Sequence, residues 1–252
     1  MKEEIKGTTM PVLEVSLDPG ESVVAESGEL GWIAGSIELT TTTGMDGDAD
    51  VGDALKRAFS GGAFFMTQYT ATTAPGMVAF PAKLPGQIVK VSLGDREYVV
   101  RQGAFVAGTL GCEVGTALHA SRLGSGLLGG FGFVLQKLSG TGHAWVELAG
   151  EVVEYELGAG DVLRVRPGHV GLIEATVSYE LTSVPGIKNK LFGGDGLFLL
   201  QLTGPGKVWL QSLTVEDLAR AIAPALGNQG TKSQLEVDGV GKAVDGVVDL
   251  LR

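Results

Sequence analysis

The chain has 252 residues, of which 44% are hydrophobic, and it carries a formal net charge of −10. This composition excludes a disordered protein, and the 40 glycines, which show no Gly-X-Y period, exclude collagen. Because a nucleic-acid-binding protein needs a basic face, nucleic acid is not an expected partner of this acidic chain.

The N-terminal segment and the single cysteine bear on the cellular compartment. Residues 1–10 contain Lys2, Glu3, Glu4 and Lys6 and lack the apolar run of a signal peptide. The uncharged stretch 61–82 is interrupted by polar residues and by proline, unlike a membrane-spanning helix. Cys112 is alone, so no intramolecular disulfide can form. We therefore predict a cytoplasmic protein.

A strand pattern first appears after Gly28 and then recurs twice. Apolar and polar residues alternate there with a period of two, which predicts a half-buried strand. The apolar positions are Ile33, Gly35, Ile37 and Leu39 after Gly28; Gly108, Leu110, Cys112 and Val114 after Gly103; and Ile173, Ala175, Val177, Tyr179 and Leu181 after Gly168. Because the phase is kept in all three copies, we predict equivalent faces turned toward a common core.

A short helix is predicted next, at residues 48–59 (DADVGDALKRAF). Its aspartates stand at the front and Lys56-Arg57 stand near the end, which suits the helix dipole.

Three double glycines then each open an apolar run: Gly61-Gly62, Gly129-Gly130 and Gly193-Gly194. Each run reaches a glutamine, then a small-residue turn, then a second apolar run. The glutamines are Gln68, Gln136 and Gln201, and the turns are 74–76, 140–142 and 204–206. This order predicts a β-hairpin in each copy.

The chain is therefore interpreted as three degenerate repeats, at about 20–85, 86–150 and 151–212, within one all-β domain at 1–212. Three antiparallel units with one apolar face each bury those faces most easily against one another, in a pseudo-threefold barrel or prism. Residues 213–252 form a predicted helical tail. Thr214 precedes Leu218, Ile222 and Leu226 at helical spacing, and Pro224 should kink or end that helix. A second amphipathic helix is predicted at 237–251.

One segment resembles the hallmark of the altered-inheritance-of-mitochondria 24 family. The motif residues are Gly193, Gly194, Asp195, Gly196, Gly204, Pro205, Gly206, Lys207 and Trp209, and the resemblance covers about residues 11–212. It implies a fold similar to that of the tryptophan RNA-binding attenuation protein, with antiparallel β layers in pseudo-threefold symmetry. The family's prokaryotic members are mostly uncharacterised, and its fungal mitochondrial member supports inner-membrane organisation. The resemblance brings no catalytic residue, so the motif is taken as structural.

No catalytic, cofactor-binding or metal-binding residue is predicted. His119, His143 and His169 lack partners at ligand spacing. At the repeat positions of His143 and His169 the residue differs between copies, which suggests that these two are exposed. Cys112 is expected to be buried and unreactive. Residues 160–169 resemble only the second half of a cupin motif, without its metal ligands. No phosphate-binding glycine motif is present.

Three further groups have structural interpretations. Trp145 and Trp209 share one repeat position and are expected in the core. Arg164 and Arg166 are expected on a solvated face. Residues 124–130 are interpreted as a flexible loop. Its leucines are expected to be buried under a sheet, and if exposed they would form a subunit or membrane-surface contact.

The leading hypothesis is a non-enzymatic β scaffold that acts by binding or by self-assembly. Sheet edges must be covered, so a homo-oligomer is expected, and a protein partner or a membrane surface is an alternative contact. A second hypothesis is a small-molecule enzyme with carboxylates or histidines gathered in a cleft between repeats. A third, nucleic-acid binding by analogy of fold, is opposed by the charge.

Overall fold

The computed structural model of the chain describes residues 1–43, 65–119, 134–183 and 198–226. The described chain is mostly β. Its strands are β1 (Lys2–Lys6), β2 (Val12–Leu17), β3 (Ser22–Glu26), β4 (Trp32–Thr43), β5 (Phe65–Pro81), β6 (Gly86–Leu93), β7 (Tyr98–Arg101), β8 (Phe105–Thr109), β9 (Cys112–His119), β10 (Val134–Gly140), β11 (Gly142–Ala149), β12 (Val152–Leu157), β13 (Val162–Val165), β14 (Val170–Glu174), β15 (Ser178–Ser183), β16 (Phe198–Thr203) and β17 (Gly206–Gln211).

Helical structure is confined to short pieces in the described chain. A 3₁₀ turn spans Pro167–His169, helix α1 spans Val215–Ile222, and a second 3₁₀ turn follows at Ala223–Leu226. The helix predicted after Thr214 is thus confirmed, and it ends two residues before Pro224. The predicted helices at 48–59 and 237–251 lie outside the described residues. No helix within the described ranges is long and apolar enough to cross a membrane. The chain divides into two compact units, Met1–Thr214 and Val215–Arg252.

The largest sheet has eight strands and is nearly closed into a barrel. Its order is β1-β2-β5-β3-β8-β11-β6, and β4 adds a further pairing to β5. The two end strands, β1 and β6, are joined by an ion pair between Glu3 and Lys90. A six-stranded sheet has the order β12-β17-β14-β7-β10-β9, and a three-stranded sheet has the order β13-β16-β15.

The three thirds of the chain share one set of antiparallel strand pairings. One equivalent set consists of the pairs β2–β5, β6–β11 and β12–β17. In each pair a leucine, Leu17, Leu93 or Leu157, is the register partner of a turn glycine, at position 76, 142 or 206. A second equivalent set consists of the pairs β3–β5, β7–β10 and β13–β16. In each pair the recurring glutamine, Gln68, Gln136 or Gln201, lies opposite a residue of the first-named strand. The first half of β4, β8 and β14 pair with β5, β11 and β17 in the same way.

Two junctions link these thirds. β3 pairs with β8 across the first junction, and β7 pairs with β14 across the second. Between β13 and the first half of β4, which would complete the set, no pairing occurs among the described strands. A threefold arrangement in space is therefore not confirmed, although the all-β class is.

Burial follows the same division, because each third contributes most of one apolar cluster. Trp145 packs in the first cluster, Leu172 in the second and Val99 in the third, so each cluster also holds a side chain from a neighbouring third. The thirds consequently pack on one another and are not independent cores.

The predicted hairpins are wrong. In the first third, β5 runs without interruption through residues 74–76. In the second and third, β10 and β11, and likewise β16 and β17, lie in different sheets and do not pair with each other. The glycine turns at 140–142 and 204–206 therefore carry the chain from one sheet to the next, with positive φ at Gly140, Gly142 and Gly206.

The strand predicted across residues 173–181 is two strands, β14 and β15, separated by a turn at 175–177. The predicted core face of the first third is also wrong in part. Ile33 and Leu39 are 41% and 45% exposed, because no neighbour covers that face of β4 in the described chain. Leu110 is 56% exposed, since it lies in the turn between β8 and β9.

Candidate functional site

The structure describes only the second part of the glycine-rich family motif. Gly193, Gly194, Asp195 and Gly196 lie outside the described residues. Gly204, Pro205 and Gly206 form the turn between β16 and β17. At Gly206, with φ of 140°, an added Cβ would lie 2.4 Å from Thr176 Oγ1. The turn therefore needs glycine in order to approach the 175–177 turn.

The remaining motif residues anchor β17 to its neighbours. The backbone N–H of Lys207 donates to Glu174 Oε2 at 2.9 Å, and Lys207 Nζ pairs with Glu154 at 2.6 Å. This hydrogen bond with Lys207 lowers the pKa of the Glu154 carboxyl. Trp209 is half-buried against the second apolar cluster, with its ring 6.3 Å from that of Tyr98. These contacts hold β17 to the neighbouring strands and turn.

A carboxylate cluster at the first junction is the strongest polar candidate. Lys83 Nζ lies 2.7 Å from Glu29 Oε1 and donates to the Gly103 carbonyl at 2.8 Å. Glu29 Oε2 is buried and has no hydrogen-bond partner among the described residues. Burial raises the pKa of Glu29 against the effect of Lys83, and burial likewise raises the pKa of the nearby Glu26.

Glu147 belongs to the same cluster but serves the backbone. Its two carboxylate oxygens accept the N–H groups of Lys83 and Leu84 at 3.0 and 2.8 Å, and the residue is only 5% exposed. Gln211 holds the equivalent place one repeat later. Its Oε1 accepts the Ala149 N–H and its Nε2 donates to the Gly168 carbonyl, both at 3.0 Å. The two residues therefore brace the segments that connect successive thirds, a role that the sequence analysis missed.

A cleft of about 530 Å³ lies elsewhere on the first third. It is lined by Met1, Lys2, Ser16, Leu17, Asp18, Ala34, Gly35, Pro75, Gly76 and Met77. The carboxylates of Glu29 and Glu147 are not part of this lining. The cleft and the carboxylate cluster are thus separate features, whereas the enzyme hypothesis requires them to form one site.

The histidines and the cysteine are placed apart. His143 and His169 are half-buried, not exposed as predicted. His169 Nδ1 lies 2.9 Å from the Gln211 carbonyl, and His143 Nδ1 lies 3.4 Å from Ser92 Oγ. Cys112 is buried as predicted, and burial raises the pKa of its thiol to about 12. Within the described ranges, no three His, Cys, Asp or Glu side chains are grouped so as to hold a metal ion.

The tryptophan and arginine predictions have mixed outcomes. Trp145 is fully buried, as predicted for the core, whereas Trp209 is half-buried. Arg164 and Arg166 are exposed as predicted, and Arg164 Nε donates to Gln201 Oε1 at 3.1 Å. The loop at 124–130 lies outside the described residues.

The most unusual surface is the first half of β4, residues 32–35. All four residues are exposed, with Trp32 at 45%. Ala107 and Leu172, which hold the position of Trp32 in the other two thirds, are completely buried. The difference arises because β8 and β14 are each covered by a strand of the preceding third, whereas β4 pairs with β5 alone in the described chain.

Strand β13 shows the complementary exposure. Val162 is 46% exposed, and β13 pairs with β16 alone among the described strands. Its equivalents in the other thirds, β3 and β7, are almost entirely buried. A third exposed strand, β12, carries Val153 and Tyr155 at 47% and 44% exposure. Periodicity finds such strands but cannot tell whether a neighbour covers them, so the sequence analysis did not single them out.

Comparison with known proteins agrees with this architecture. The family model described as mitochondrial biogenesis AIM24 matches residues 3–213. An uncharacterised protein of Streptococcus pyogenes serotype M6 is 26% identical over 213 residues, which span 83% of this chain and 84% of that protein. The crystal structure of a Streptococcus pyogenes protein from a structural genomics programme has a TM-score of 0.70 at 22% identity and covers 89% of this chain and 99% of that one. That structure supports the fold alone.

Proposed function

Since the chain belongs to the mitochondrial biogenesis AIM24 family, we propose that it is a non-enzymatic β scaffold that acts by self-association through the open edges of its sheets. The proposed partner is a second copy of the chain, and the proposed location is the cytoplasm.

The observation that carries this proposal is the set of exposed apolar side chains on edge strands. Trp32, Ile33 and Val162 are each more than 40% exposed, on strands with one unpaired side among the described strands. An unpaired strand edge offers a row of N–H and C=O groups that another strand can bind, and natural proteins usually protect such edges with charges or short strands. Uncharged, apolar residues at 32–35 are the opposite of that protection.

The polar groups at the connections between thirds support binding over catalysis. Glu147 and Gln211 are both engaged with backbone groups of the connections between thirds. Lys83 is held by Glu29 and by the Gly103 carbonyl. These groups already have structural partners and would have to release them to act on a substrate.

The test is the mass of the full chain in solution. Size-exclusion chromatography with light scattering should give a mass above that of one 26.0 kDa chain at micromolar concentration, rising with concentration. A mass of one chain throughout that range would overturn the proposal.

A second candidate, a small-molecule site at Glu29, is favoured by one observation. Glu29 combines a raised pKa with a buried oxygen that has no hydrogen-bond partner in the described chain, and such groups concentrate at functional sites. A metabolite screen by thermal shift tests it, with Glu29→Gln as the control variant. A ligand that raises the Tm of the native chain, and not that of the variant, would support this candidate.

A further inference from the structure

The two strand junctions within the chain provide a template for a contact between chains. At the first junction, Val24 of β3 lies opposite Gly108 of β8, and at the second, Val100 of β7 lies opposite Leu172 of β14. Both junctions are antiparallel, and both join the same pair of equivalent strands from successive thirds. Among the described strands, one member of this pair remains uncovered at each end of the array: β4 in the first third and β13 in the last.

We propose that β13 of one copy pairs antiparallel with residues 32–35 of β4 in a second copy, so that chains join head to tail. This inference rests on the proposed function, because it names the surfaces through which the scaffold associates. The new junction would repeat, between chains, the contact that joins consecutive thirds within one chain.

Burial supports a second copy as the occupant. Where the template pairing exists, the residues equivalent to Trp32 and Ile33 are buried, and so are those equivalent to Leu163 and Arg164. Where the pairing is missing among the described strands, residues 32–35 of β4 are exposed. On β13, Val162 and Arg164 are exposed, whereas Leu163 is half-buried and Val165 is buried. One copy supplies the unpaired edge of β13 and another supplies the unpaired edge of β4. A second chain can therefore pair both edges through the same contact that joins β3 to β8 and β7 to β14.

The chemistry of the two edges is compatible. Residues 32–35 are Trp, Ile, Ala and Gly, and β13 is Val, Leu, Arg and Val, so Arg164 is the only charge and faces no like charge. The register of the first template places Arg164 opposite Ile33, and the register of the second places it opposite Trp32. Either register brings Leu163 or Val165 beside apolar residues of β4.

The contact is heterologous, since two different surfaces meet, and it generates either a ring or an open filament. This property gives a decisive test with two exposed-site variants of the full chain, Ile33→Lys and Val162→Lys. Lysine on an edge strand opposes strand addition. Each variant alone should need at least about tenfold more protein to associate, because every junction then contains one altered edge.

Mixing the two variants should restore one native junction, between the unaltered β13 of Ile33→Lys and the unaltered β4 of Val162→Lys. The second junction of the same pair carries lysine on both sides, so assembly should stop at a heterodimer. Light scattering and sedimentation velocity measure this, and circular dichroism checks that each variant is folded.

Val153→Lys is the matched control, because Val153 is as exposed as Val162 but lies on β12. Association should persist in this variant. If the native chain associates and Val153→Lys alone abolishes it, the self-assembly proposal stands and the β13–β4 junction is wrong. The junction is also wrong if mixing the two lysine variants restores nothing, or if both variants associate like the native chain. If the native chain is a monomer at every concentration, the proposed function and the junction fall together.

Discussion

Trp32 and Leu172 hold the same position in their respective thirds, opposite Ala79 and Trp209 in equivalent strand pairs, yet Trp32 is 45% exposed and Leu172 is completely buried. The local pairing is the same, so the difference comes from the next strand. β7 covers β14, and no described strand covers the first half of β4. The exposed Trp32 therefore lies where the proposed second strand would pack.

Hydrogen exchange should detect this difference directly. In dilute solution, the amides of residues 32–35 that point away from β5 should exchange rapidly. The amides of residues 106–108 and 171–173 should be protected, because β8 and β14 are paired along both edges. At a concentration where the chain associates, the amides at 32–35 should become protected. Protection at 32–35 that does not depend on concentration would mean that the same chain covers this edge.

Gly206 should be far less tolerant of substitution than Gly160. Both have positive φ, but an added Cβ would strike Thr176 at Gly206 and meets nothing within 4 Å at Gly160. Gly160→Ala should cost ~1–2 kcal/mol from backbone strain, and Gly206→Ala about 3 kcal/mol or more because overpacking adds to the strain. Urea unfolding of both variants measures the difference, and equal costs would contradict the close approach of the two turns.

The all-β class could be predicted from the sequence because strand periodicity is a local property. Cys112 is inside as predicted, although the predicted strand that contains it is divided by the turn at residues 110–111. The hairpins failed because glycine turns such as 140–142 indicate a change of direction but not the sheet in which each strand finds its partner. Glu147 and Gln211 were missed because their hydrogen bonds join segments more than 40 residues apart in the sequence.

Replacing the Glu147 brace should destabilise the first junction strongly. Glu147→Ala leaves the Lys83 and Leu84 N–H groups without their acceptors, which should cost about 3 kcal/mol in the free energy of unfolding. Glu147→Gln, which introduces the residue found at the equivalent position 211, keeps one acceptor oxygen and should cost about half as much. Chemical denaturation provides the measurement. A variant Glu147→Ala as stable as the native chain would show that these hydrogen bonds are dispensable.

Glu26 should make the stability of the fold depend on pH in a defined direction. Burial raises the pKa of its carboxyl, so the folded chain holds this proton more tightly than the unfolded chain does. The contribution of Glu26 to the free energy of unfolding is complete below the ordinary carboxyl pKa and is lost as the pH rises through the raised pKa. Glu26→Gln should therefore flatten the pH dependence of the urea midpoint in that window. A slope unchanged in Glu26→Gln would rule out this assignment.

Cys112 should react with thiol reagents only when the fold opens. Burial raises the pKa of its thiol from 9.0 to about 12, so the thiolate fraction at neutral pH is about a thousandfold lower than for an unperturbed thiol. Gly108 lies so close that an added Cβ would be 2.9 Å from Cys112 Sγ, which leaves a reagent no approach from that side. Alkylation followed by mass spectrometry should be slow in buffer and fast in denaturing urea. Cys112 begins β9, next to the turn that follows β8. Rapid labelling in buffer would therefore show that this part of the second cluster opens locally. It would place the least stable region of the fold at the end of β8 and not at the unpaired edges of β4 and β13.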